Sequence, residues 1–412
     1  MRYNVSMEKI TMAIIGGGAS GLILASFIQN AGKTVVFERG DRVGKKLSAT
    51  GNGQGNVTNT GVRDSDYFSF SENGVRLAKS CIQVFDDSSF AAFLKELGVL
   101  LSTDDRGRVY PSGRQASALT DALRFYLDFK GVNVRLSQKI TDVKKVKDGF
   151  ELTVSSPEGE YTVFSENVAL CAGGKAAKNF GTDGSAYRLA EKLGHTLTEL
   201  YPSLVQIKTE TQHIKTLKGI RVNGAVVTVR LGKTSKRVQG DVIFTDYGLS
   251  GDAIFRLSPF ITDKIHSSSV ELSIDFLPEF SAQELQTTLE NKQKTLPSIA
   301  AQELLFGIVN NQIGRAVMKR ADGEIKRAVS LIKAFTLPVT GSLGFDYAQV
   351  TKGGISMDEV SQTLESKLIK GLYFAGEILD VDGECGGYNL QWAYSSARVV
   401  ATAINAKCEG QV

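Results

Sequence analysis

The chain lacks the features that mark membrane, secreted and metal-binding proteins. No apolar run approaches the ~20 residues that a membrane-spanning helix needs, and the N-terminal stretch MRYNVSMEKITMAIIGGG lacks the apolar core and cleavage site of a signal peptide. The 4 cysteines are scattered without a C-x-x-C pair, and the 3 histidines show no metal-ligand spacing. We therefore expect a cytoplasmic protein with no disulfide framework and no metal site.

Proline is also scarce, at 7 of 412 residues, whereas glycine is abundant at 42. With so little proline, the glycine does not indicate low-complexity linkers; it predicts turns and close approaches of backbone to a ligand. The hydrophobic share of 42% is ordinary for a folded globular protein. The length exceeds the usual single-domain range, which favours two or three domains.

The net charge is only +4, but basic residues are concentrated in two stretches. Residues 208–237 contain eight Lys or Arg and one acid, and residues 315–333 contain six and two. One interpretation is a solvated basic face. The other is an electrostatic footprint for a polyanion such as RNA.

The strongest local pattern is TMAIIGGGASGLILASFIQNAGKTVVFERG, near the N-terminus. Met12–Ile15 are apolar and predict a short strand, and three glycines with the spacing G-x-G-x-x-G follow it. Ala19–Ala31 favour a helix that Gly32 ends, and Thr34–Phe37 favour a second strand. This order is typical of a dinucleotide-binding unit.

Each glycine of the G-x-G-x-x-G pattern has a physical role in such a unit. Gly16 allows the tight turn out of the strand, Gly18 lets backbone approach a pyrophosphate, and Gly21 lets the helix pack closely on the strand. The helix N-terminus directs its amides at the phosphates. Glu38 follows the second strand, where a carboxylate binds the hydroxyls of a ribose without a 2′-phosphate. At this point FAD and NAD both fit.

The loop RVGKKLSATGNGQGNVTN comes next and is rich in glycine and asparagine. Long loops inside compact domains are usually functional. Lys45 and Lys46 either lie near the phosphates of a dinucleotide or are solvated surface lysines, and the sequence leaves both open.

The rest of the chain alternates between β and helical patterns. Residues 77–130 are mainly helical, and short alternating strands then lead to an apolar strand that ends in Ala172 and Gly173. Residues 201–276 predict an all-β segment. A capping box at Ser281 and Glu284 opens helical sequence to about residue 333.

The final stretch GLYFAGE returns to the pattern of a cofactor-binding strand. The predicted fold class is therefore α/β, with a Rossmann-like, glutathione-reductase-like FAD-binding domain interrupted by a β-barrel-like domain and a small helical domain. The predicted FAD-binding parts are residues 1–200 and 351–412. The predicted barrel is 201–280, completed by about 334–350, and the helical insertion is 281–333.

Over nearly its whole length the chain resembles the BaiN/RdsA (YhiN-like) family of NAD(P)/FAD-dependent oxidoreductases. The resemblance rests on IIGGGASGL, VGKKLSATGNGQGNVTN, FTDYGLSGDAI and the long C-terminal stretch that ends in LYFAGEILDVDGECGGYNLQWAYSS. It implies bound FAD with NAD(P)H as a transient reductant. The residues that it implies as cofactor-binding are Gly16, Gly18, Ala19, Ser20, Gly21, Glu38, Arg39, Lys45, Lys46, Ile140, Ala172, Gly173, Gly376, Glu377, Asn389 and Leu390.

Two departures from the family pattern are visible. The family usually has Arg and Cys where this chain has Gln54 and Gly55, so its activity or substrate differs if that pair serves the chemistry. The family also usually has proline after GLSG, where this chain has Asp252.

Flavin would carry the redox chemistry, and the protein would supply position and electrostatics. The single G-x-G-x-x-G leaves no second Rossmann domain for NAD(P)H. No dithiol accompanies the C-terminal loop from Gly376 to Leu390, which argues against disulfide reduction. Glu377 would bind the ribityl or pyrophosphate region. Asn389 and Leu390 would place amides near the flavin pyrimidine edge. Cys385 is a proton donor or a buried inert thiol, and Tyr388 faces the ring or packs.

Three functions remain open from the sequence. The first is an FAD oxidoreductase that transfers a hydride between flavin and a small organic substrate, as an oxidase or an ene-type reductase. The second is a flavoenzyme that reduces a base in RNA, which the basic stretches 208–237 and 315–333 permit. The third is a redox-inactive flavin-binding module.

Overall fold

The structure is a computed structural model that describes residues 7–62 and 66–409. The described residues of Met1–Leu200 and Val350–Val412 form one compact unit, and Tyr201–Gln349 form a second.

The first unit alternates strands and helices. Up to Leu200 its elements are β1 (Glu8–Ile15), α1 (Ala19–Phe27), β2 (Thr34–Phe37), β3 (Thr58–Asn59), β4 (Tyr67–Phe68), α2 (Glu72–Val84), α3 (Asp87–Glu96), β5 (Leu101–Thr103), β6 (Arg108–Pro111), α4 (Ser117–Lys130), β7 (Asn133–Arg135), β8 (Lys139–Val146), β9 (Gly149–Ser156), β10 (Gly159–Leu170) and α5 (Tyr187–Lys192).

The second unit contains seven strands and four α-helices, and its last three helices lie between β16 and β17 in the chain. Its elements are β11 (Tyr201–Ser203), β12 (Ile207–Thr209), β13 (Arg221–Leu231), β14 (Thr234–Phe244), β15 (Gly248–Ser250), α6 (Asp252–Ile261), β16 (Glu271–Asp275), α7 (Ala282–Thr295), α8 (Asn311–Arg320), α9 (Ile325–Lys333) and β17 (Phe335–Ser342). The chain then returns to the first unit with β18 (Val350–Lys352), β19 (Leu372–Phe374), β20 (Asp382–Gly383) and α10 (Tyr388–Glu409).

The central sheet of the first unit has the strand order β7-β2-β1-β10-β9-β8, and β19 also pairs with β10. β7, β2, β1, β10 and β19 run parallel, whereas β9 and β8 form an antiparallel meander on the first half of β10. Both faces of the parallel strands are covered, which is why these strands are apolar. Ile14, Val36 and Phe374 are examples, since each is fully buried. This arrangement brings the carboxyl ends of β1, β10 and β19 to one edge.

The second unit contains a closed barrel with the strand order β12-β15-β14-β13-β16-β17. β17 closes the barrel by pairing with both β12 and β16. The predicted capping box at the start of α7 is present, since Ser281 and Glu284 each accept a hydrogen bond from the other's backbone amide. The predicted fold class, a Rossmann-like domain interrupted by a barrel and helices, is confirmed.

The first helix is shorter than the predicted Ala19–Ala31. It ends at Phe27, and Ile28 is already extended. Long-range side chains satisfy the carbonyls at its end: Asn405 donates to Phe27 O at 2.9 Å, and Lys130 donates to Ser26 O at 2.9 Å. These partners lie more than a hundred residues away, so the local pattern did not reveal them.

The prediction of an all-β segment over residues 201–276 is wrong at α6. Pro259 lies inside this helix, a position where proline is ordinarily unfavourable. The helix forms because Ala253, Ile254, Leu257 and Ile261 recur at helical spacing and are fully buried. Asp252 is the first residue of α6, where an acid suits the helix dipole. Proline is also favoured at this helix position, so Asp252 in place of the proline usual in the family is compatible with the same helix start.

Candidate functional site

The glycine-rich turn between β1 and α1 is shaped by two close approaches. Gly16 has a φ of +112°, and a Cβ added to it would lie 2.7 Å from Cα of Ala172. A Cβ on Gly21 would collide with the carbonyl oxygen of Gly16. A Cβ on Gly18 would meet no atom within 4 Å. Gly16 and Gly21 are therefore packing requirements, whereas Gly18 faces open space.

The N-terminus of α1 offers amide groups to that open space. Its N-cap is Gly18, which is in an extended conformation and has no side chain with which to cap the helix. The first amides of a helix have no intrahelical partners, and the helix dipole adds positive potential there. Ala19 and Ser20 in this first turn therefore lie where a phosphate is favoured.

Glu38, at the end of β2, is held against the glycine turn. Its Oε2 accepts from Gly17 N at 2.9 Å, and its Oε1 accepts from Gly40 N at 2.6 Å. The carbonyl of Glu38 accepts from Gln138 N at 2.9 Å, which leads directly into β8 and the buried Ile140. The structure thus brings Glu38 and the strand of Ile140 to the same side of the turn.

Arg39 and Lys45 are engaged by surface acids. Arg39 Nη1 lies 2.9 Å from Asp183 Oδ2 and donates to Ser185 Oγ at 3.1 Å. Burial raises the pKa of Asp183, but the hydrogen bonds from Arg39 and Ser185 outweigh that effect and hold the pKa well below its usual value. Lys45 Nζ lies 2.6 Å from the exposed Asp41. Both cations are therefore paired with carboxylates.

Lys46 and Glu377 form an ion pair between the two ends of the chain, with 2.6 Å between Nζ and Oε2. The other oxygen of Glu377 accepts from Thr351 N at 2.9 Å. Gly173 is adjacent, because a Cβ added to it would lie 3.9 Å from Glu377 Oε2. The carboxylate is therefore fixed in orientation beside the end of β10.

Gly376 connects the C-terminal loop with the glycine turn. It has a φ of +79°, and a Cβ on it would lie 2.7 Å from Ser20 Oγ. Its amide donates to Ser396 Oγ at 2.9 Å, and its carbonyl accepts from Trp392 Nε1 at 3.1 Å. The only tryptophan thus fixes the loop backbone directly against α1.

The loop before α10 is folded by its own first-turn residues. Asn389 accepts from Gly383 N and donates to Gly383 O, both at 2.9 Å. The carbonyl of Tyr388 accepts from Tyr67 OH at 2.9 Å. Leu390 is half-buried in the same turn, and so is Cys385 in the loop before it. Asn389 and Leu390 therefore lie in the first turn of α10.

Two polar residues that the sequence reasoning did not single out fix this loop. Thr58 Oγ1 donates to Gln391 Oε1 at 2.6 Å, and Asn59 Nδ2 donates to Gly386 O at 3.3 Å. Both belong to the segment NVTN that ends the glycine-rich loop. The signal available in the sequence was this polar segment, which follows the glycines directly.

One acid of the C-terminal loop is buried. Asp380 is 0% exposed, and its Oδ2 accepts from Ser69 Oγ and Phe70 N, both at 2.9 Å. Burial raises the pKa of Asp380 to about 6, although these hydrogen bonds and the charge of Lys352 oppose the shift. Burial also raises the pKa of Tyr187, and the charges of Glu377 and Asp380 add to that effect.

The buried thiols are unsuited to chemistry. Burial raises the pKa of both Cys81 and Cys171 to about 12, so neither forms a thiolate at neutral pH. Cys385 differs because it is half-buried and lies in the loop beside α10.

A profile of a known family matches nearly the whole chain. Its description is HI0933-like protein Rossmann domain, and the match covers residues 10–403. A 3-dehydro-bile acid delta(4,6)-reductase of Clostridium scindens is 31% identical, over 95% of this chain and 98% of its own. A ribosomal RNA dihydrouridine synthase of Haemophilus influenzae is 28% identical, over 95% and 98%.

A solved structure shares the fold. The 3-ketosteroid-delta4-(5alpha)-dehydrogenase from Rhodococcus jostii RHA1 superposes with a TM-score of 0.51 at 17% identity, covering 97% of this chain and 98% of that one. Across the described residues, no helix combines the length and the apolar character needed to cross a membrane.

Proposed function

The chain belongs to the HI0933-like family of Rossmann-domain proteins, and we propose that it is an FAD-dependent oxidoreductase that transfers a hydride between flavin and a small organic substrate. The observation that carries the proposal is the uncapped start of α1, open at Gly18 and flanked by Glu38 and Gly376. The family resemblance that the sequence predicted is confirmed by the profile match and by the 31% identical relative.

Each part of FAD is assigned to a group of residues in this proposal. The amides at Gly18–Ser20 would hold the pyrophosphate, and Glu38 would accept hydrogen bonds from the adenosine ribose. Glu377, oriented by Lys46, would bind the ribityl hydroxyls. The start of α10 at Asn389 would direct its amides at the pyrimidine edge of the flavin ring.

We favour an ene-type reduction over an oxidase, because the 31% identical relative is named as a reductase. When bound, FAD would supply a flavin ring that accepts a hydride from the reductant and donates a hydride to the substrate. In such a reduction, a hydride reaches one carbon of a conjugated C=C bond and a proton reaches the other. Cys385 or Tyr388 would supply the proton, and NAD(P)H would return two electrons as a transient reductant.

A direct experiment tests the proposal. Purified protein should be yellow and should release FAD on denaturation. Under anaerobic conditions NADH or NADPH should bleach the flavin, and an α,β-unsaturated ketone should restore its colour. Protein of native stability that neither retains FAD nor binds added FAD would overturn the proposal. Bound FAD that no donor and no acceptor turns over would indicate a redox-inactive module.

The residues proposed for proton transfer can be separated by substitution. Tyr388→Phe and Cys385→Ser should leave FAD bound. The variant that lacks the donor should reduce its flavin normally but reoxidise about 10²-fold more slowly with the substrate. If both variants reoxidise at the wild-type rate, neither residue is the donor.

A second candidate substrate, a base in RNA, is favoured by the charge of the β13–β14 hairpin. Arg221, Arg230, Lys233 and Arg237 are all exposed on it. A relative at 28% identity is named as a ribosomal RNA dihydrouridine synthase. An RNA backbone would be attracted to such a surface.

The helical stretch 315–333 is a weaker candidate for the same role, because several of its cations serve the fold. Arg320 donates to Thr336 O at 3.0 Å, Arg327 pairs with Asp322 at 2.6 Å, and Lys333 pairs with Asp275 at 2.9 Å. Retention on an RNA column should therefore fall after Lys233→Glu with Arg237→Glu, and it should change little after Arg327→Gln. Salt-insensitive retention, or retention unaffected by the hairpin substitutions, would reject RNA as a partner of this surface.

A further inference from the structure

We infer that Asn56, a residue outside the predicted cofactor set, accepts a hydrogen bond from the N3–H of the flavin pyrimidine ring beside the start of α10. The inference rests on the proposed function and assigns one more residue to its cofactor site. Its first support is the burial of Asn56, which is 8% exposed. Its Oδ1 is fully buried and has no hydrogen-bond partner among the residues that the structure describes.

The polar neighbours of Asn56 are hydrogen-bonded, in contrast to this oxygen. Thr58 and Asn59, on the same short segment, are both engaged by the C-terminal loop and α10, through Gln391 and Gly386. The segment is therefore firmly docked. A buried carboxamide oxygen without a partner is costly, so its retention in a docked segment points to a donor that comes from a ligand.

The oxygen lies close to the residue that precedes α10. A Cβ added to Gly387 would lie 2.7 Å from Asn56 Oδ1, and Gly387 immediately precedes α10. Gly387 has a φ of +103°, and a Cβ on it would also lie 2.4 Å from the backbone of Thr58, so only glycine fits between the docked segment and α10. The acceptor of Asn56 thus lies beside the N-terminus of a long helix.

This pairing of donors and acceptor matches the chemistry of one edge of flavin. The pyrimidine ring presents a carbonyl oxygen at C2 next to a donor at N3. Helix amides suit the carbonyl, and the Asn56 oxygen suits the N–H. Asn56 is thus a positioning residue that fixes the orientation of the ring; it takes no part in proton or hydride transfer.

The test compares FAD with 3-methyl-FAD, in which a methyl group replaces the N3 proton. Apoprotein is titrated with each, and the dissociation constants are compared. Wild-type protein should bind FAD about tenfold more tightly than the analogue. Asn56→Ala should weaken FAD binding by about tenfold and should bind the two within about twofold of each other.

Three variants serve as controls. Asn56→Asp retains an acceptor oxygen and should keep the preference for FAD, which also covers the case of an Ala variant that does not fold. Gln54→Ala removes an exposed carboxamide from the same loop and should leave both constants unchanged. Thr58→Val removes a docking hydrogen bond and should lower the unfolding midpoint without changing the ratio of the constants.

The outcomes separate the two proposals. If wild-type protein binds FAD but Asn56→Ala keeps the wild-type preference over the analogue, or Asn56→Asp loses it, Asn56 serves structure only and the inference fails. If wild-type protein binds FAD and the analogue equally, the inference also fails while the proposed function stands. If wild-type protein binds no FAD at all, both are overturned.

Discussion

Asp380 has no exposed surface, and burial raises its pKa to about 6. The folded protein therefore favours the protonated carboxyl, whereas the unfolded chain ionises it with a pKa near 3.8. Stability from this group is fully present below about pH 4 and is lost as the pH rises through about 6. Two pKa units correspond to about 3 kcal/mol at most.

Replacement of Asp380 by Asn should remove this pH dependence. The free energy of unfolding of Asp380→Asn should then fall less between pH 4.5 and pH 7.5 than that of the wild type, by about 1–3 kcal/mol. Urea unfolding at several pH values measures the difference. Parallel pH profiles for the two proteins would show that Asp380 is ionised in the folded state.

Gly55 occupies the position where the family usually has cysteine. Its φ is +77°, and a Cβ on it would lie 2.8 Å from Cα of the fully buried Ala116. Gly55→Cys should therefore lower the free energy of unfolding by about 2–4 kcal/mol, from backbone strain and overpacking together. Denaturant unfolding measures this loss.

The adjacent position provides the matched control. Gln54 is exposed with a φ of −85°, so Gln54→Arg should change the stability by less than about 0.5 kcal/mol. A stable Gly55→Cys protein would mean that the loop relaxes freely around Ala116. In either outcome the comparison shows whether this chain can regain the family pair by substitution alone.

At the scale of elements, the turn from β1 to α1 separates packing from binding. Gly21→Ala should unfold or severely destabilise the protein, because the new methyl group would overlap the carbonyl oxygen of Gly16. Gly18→Ala should fold normally, because its methyl group would enter open space. Its affinity for FAD should nevertheless fall by at least about tenfold, since the methyl group fills the space proposed for the pyrophosphate.

Circular dichroism and FAD titration together measure these two effects. A Gly18→Ala protein that binds FAD as tightly as the wild type would place the pyrophosphate elsewhere. A fully stable Gly21→Ala protein would show that α1 can shift away from β1 without loss.

At the scale of the whole molecule, the ion pair of Lys46 and Glu377 joins residues that are 331 positions apart in the chain. Both side chains are mostly buried, at 23% and 17% exposure. Lys46→Met should therefore lower the free energy of unfolding by about 1–2 kcal/mol, since it leaves the carboxylate of Glu377 with one fewer partner.

Lys45→Met is the matched control. Its partner Asp41 is 79% exposed, so this substitution should change the stability by less than about 0.5 kcal/mol. Equal losses for the two variants would show that the long-range pair adds nothing beyond a surface ion pair. Urea unfolding of both proteins without FAD provides the measurement.

The sequence by itself determined the α/β class, the glycine turn and the acid at the end of β2, because each depends on neighbouring residues with a fixed periodicity or spacing. It also indicated a capping box at Ser281, a local device that the structure confirms. The tertiary structure alone decided that α1 ends at Phe27, because the groups that satisfy its carbonyls come from distant elements. It alone also revealed α6, which forms despite Pro259 because its apolar face is buried.

The same distinction applies to the candidate site. The spacing G-x-G-x-x-G is readable in the chain, but the closeness of Gly376 to Ser20 is a property of the folded protein. The unsatisfied oxygen of Asn56 is likewise invisible in the sequence, because the sequence lists donors and acceptors without showing which of them meet. Local patterns therefore predicted where in the chain a cofactor would bind, and long-range packing decided which side chains lie around that place.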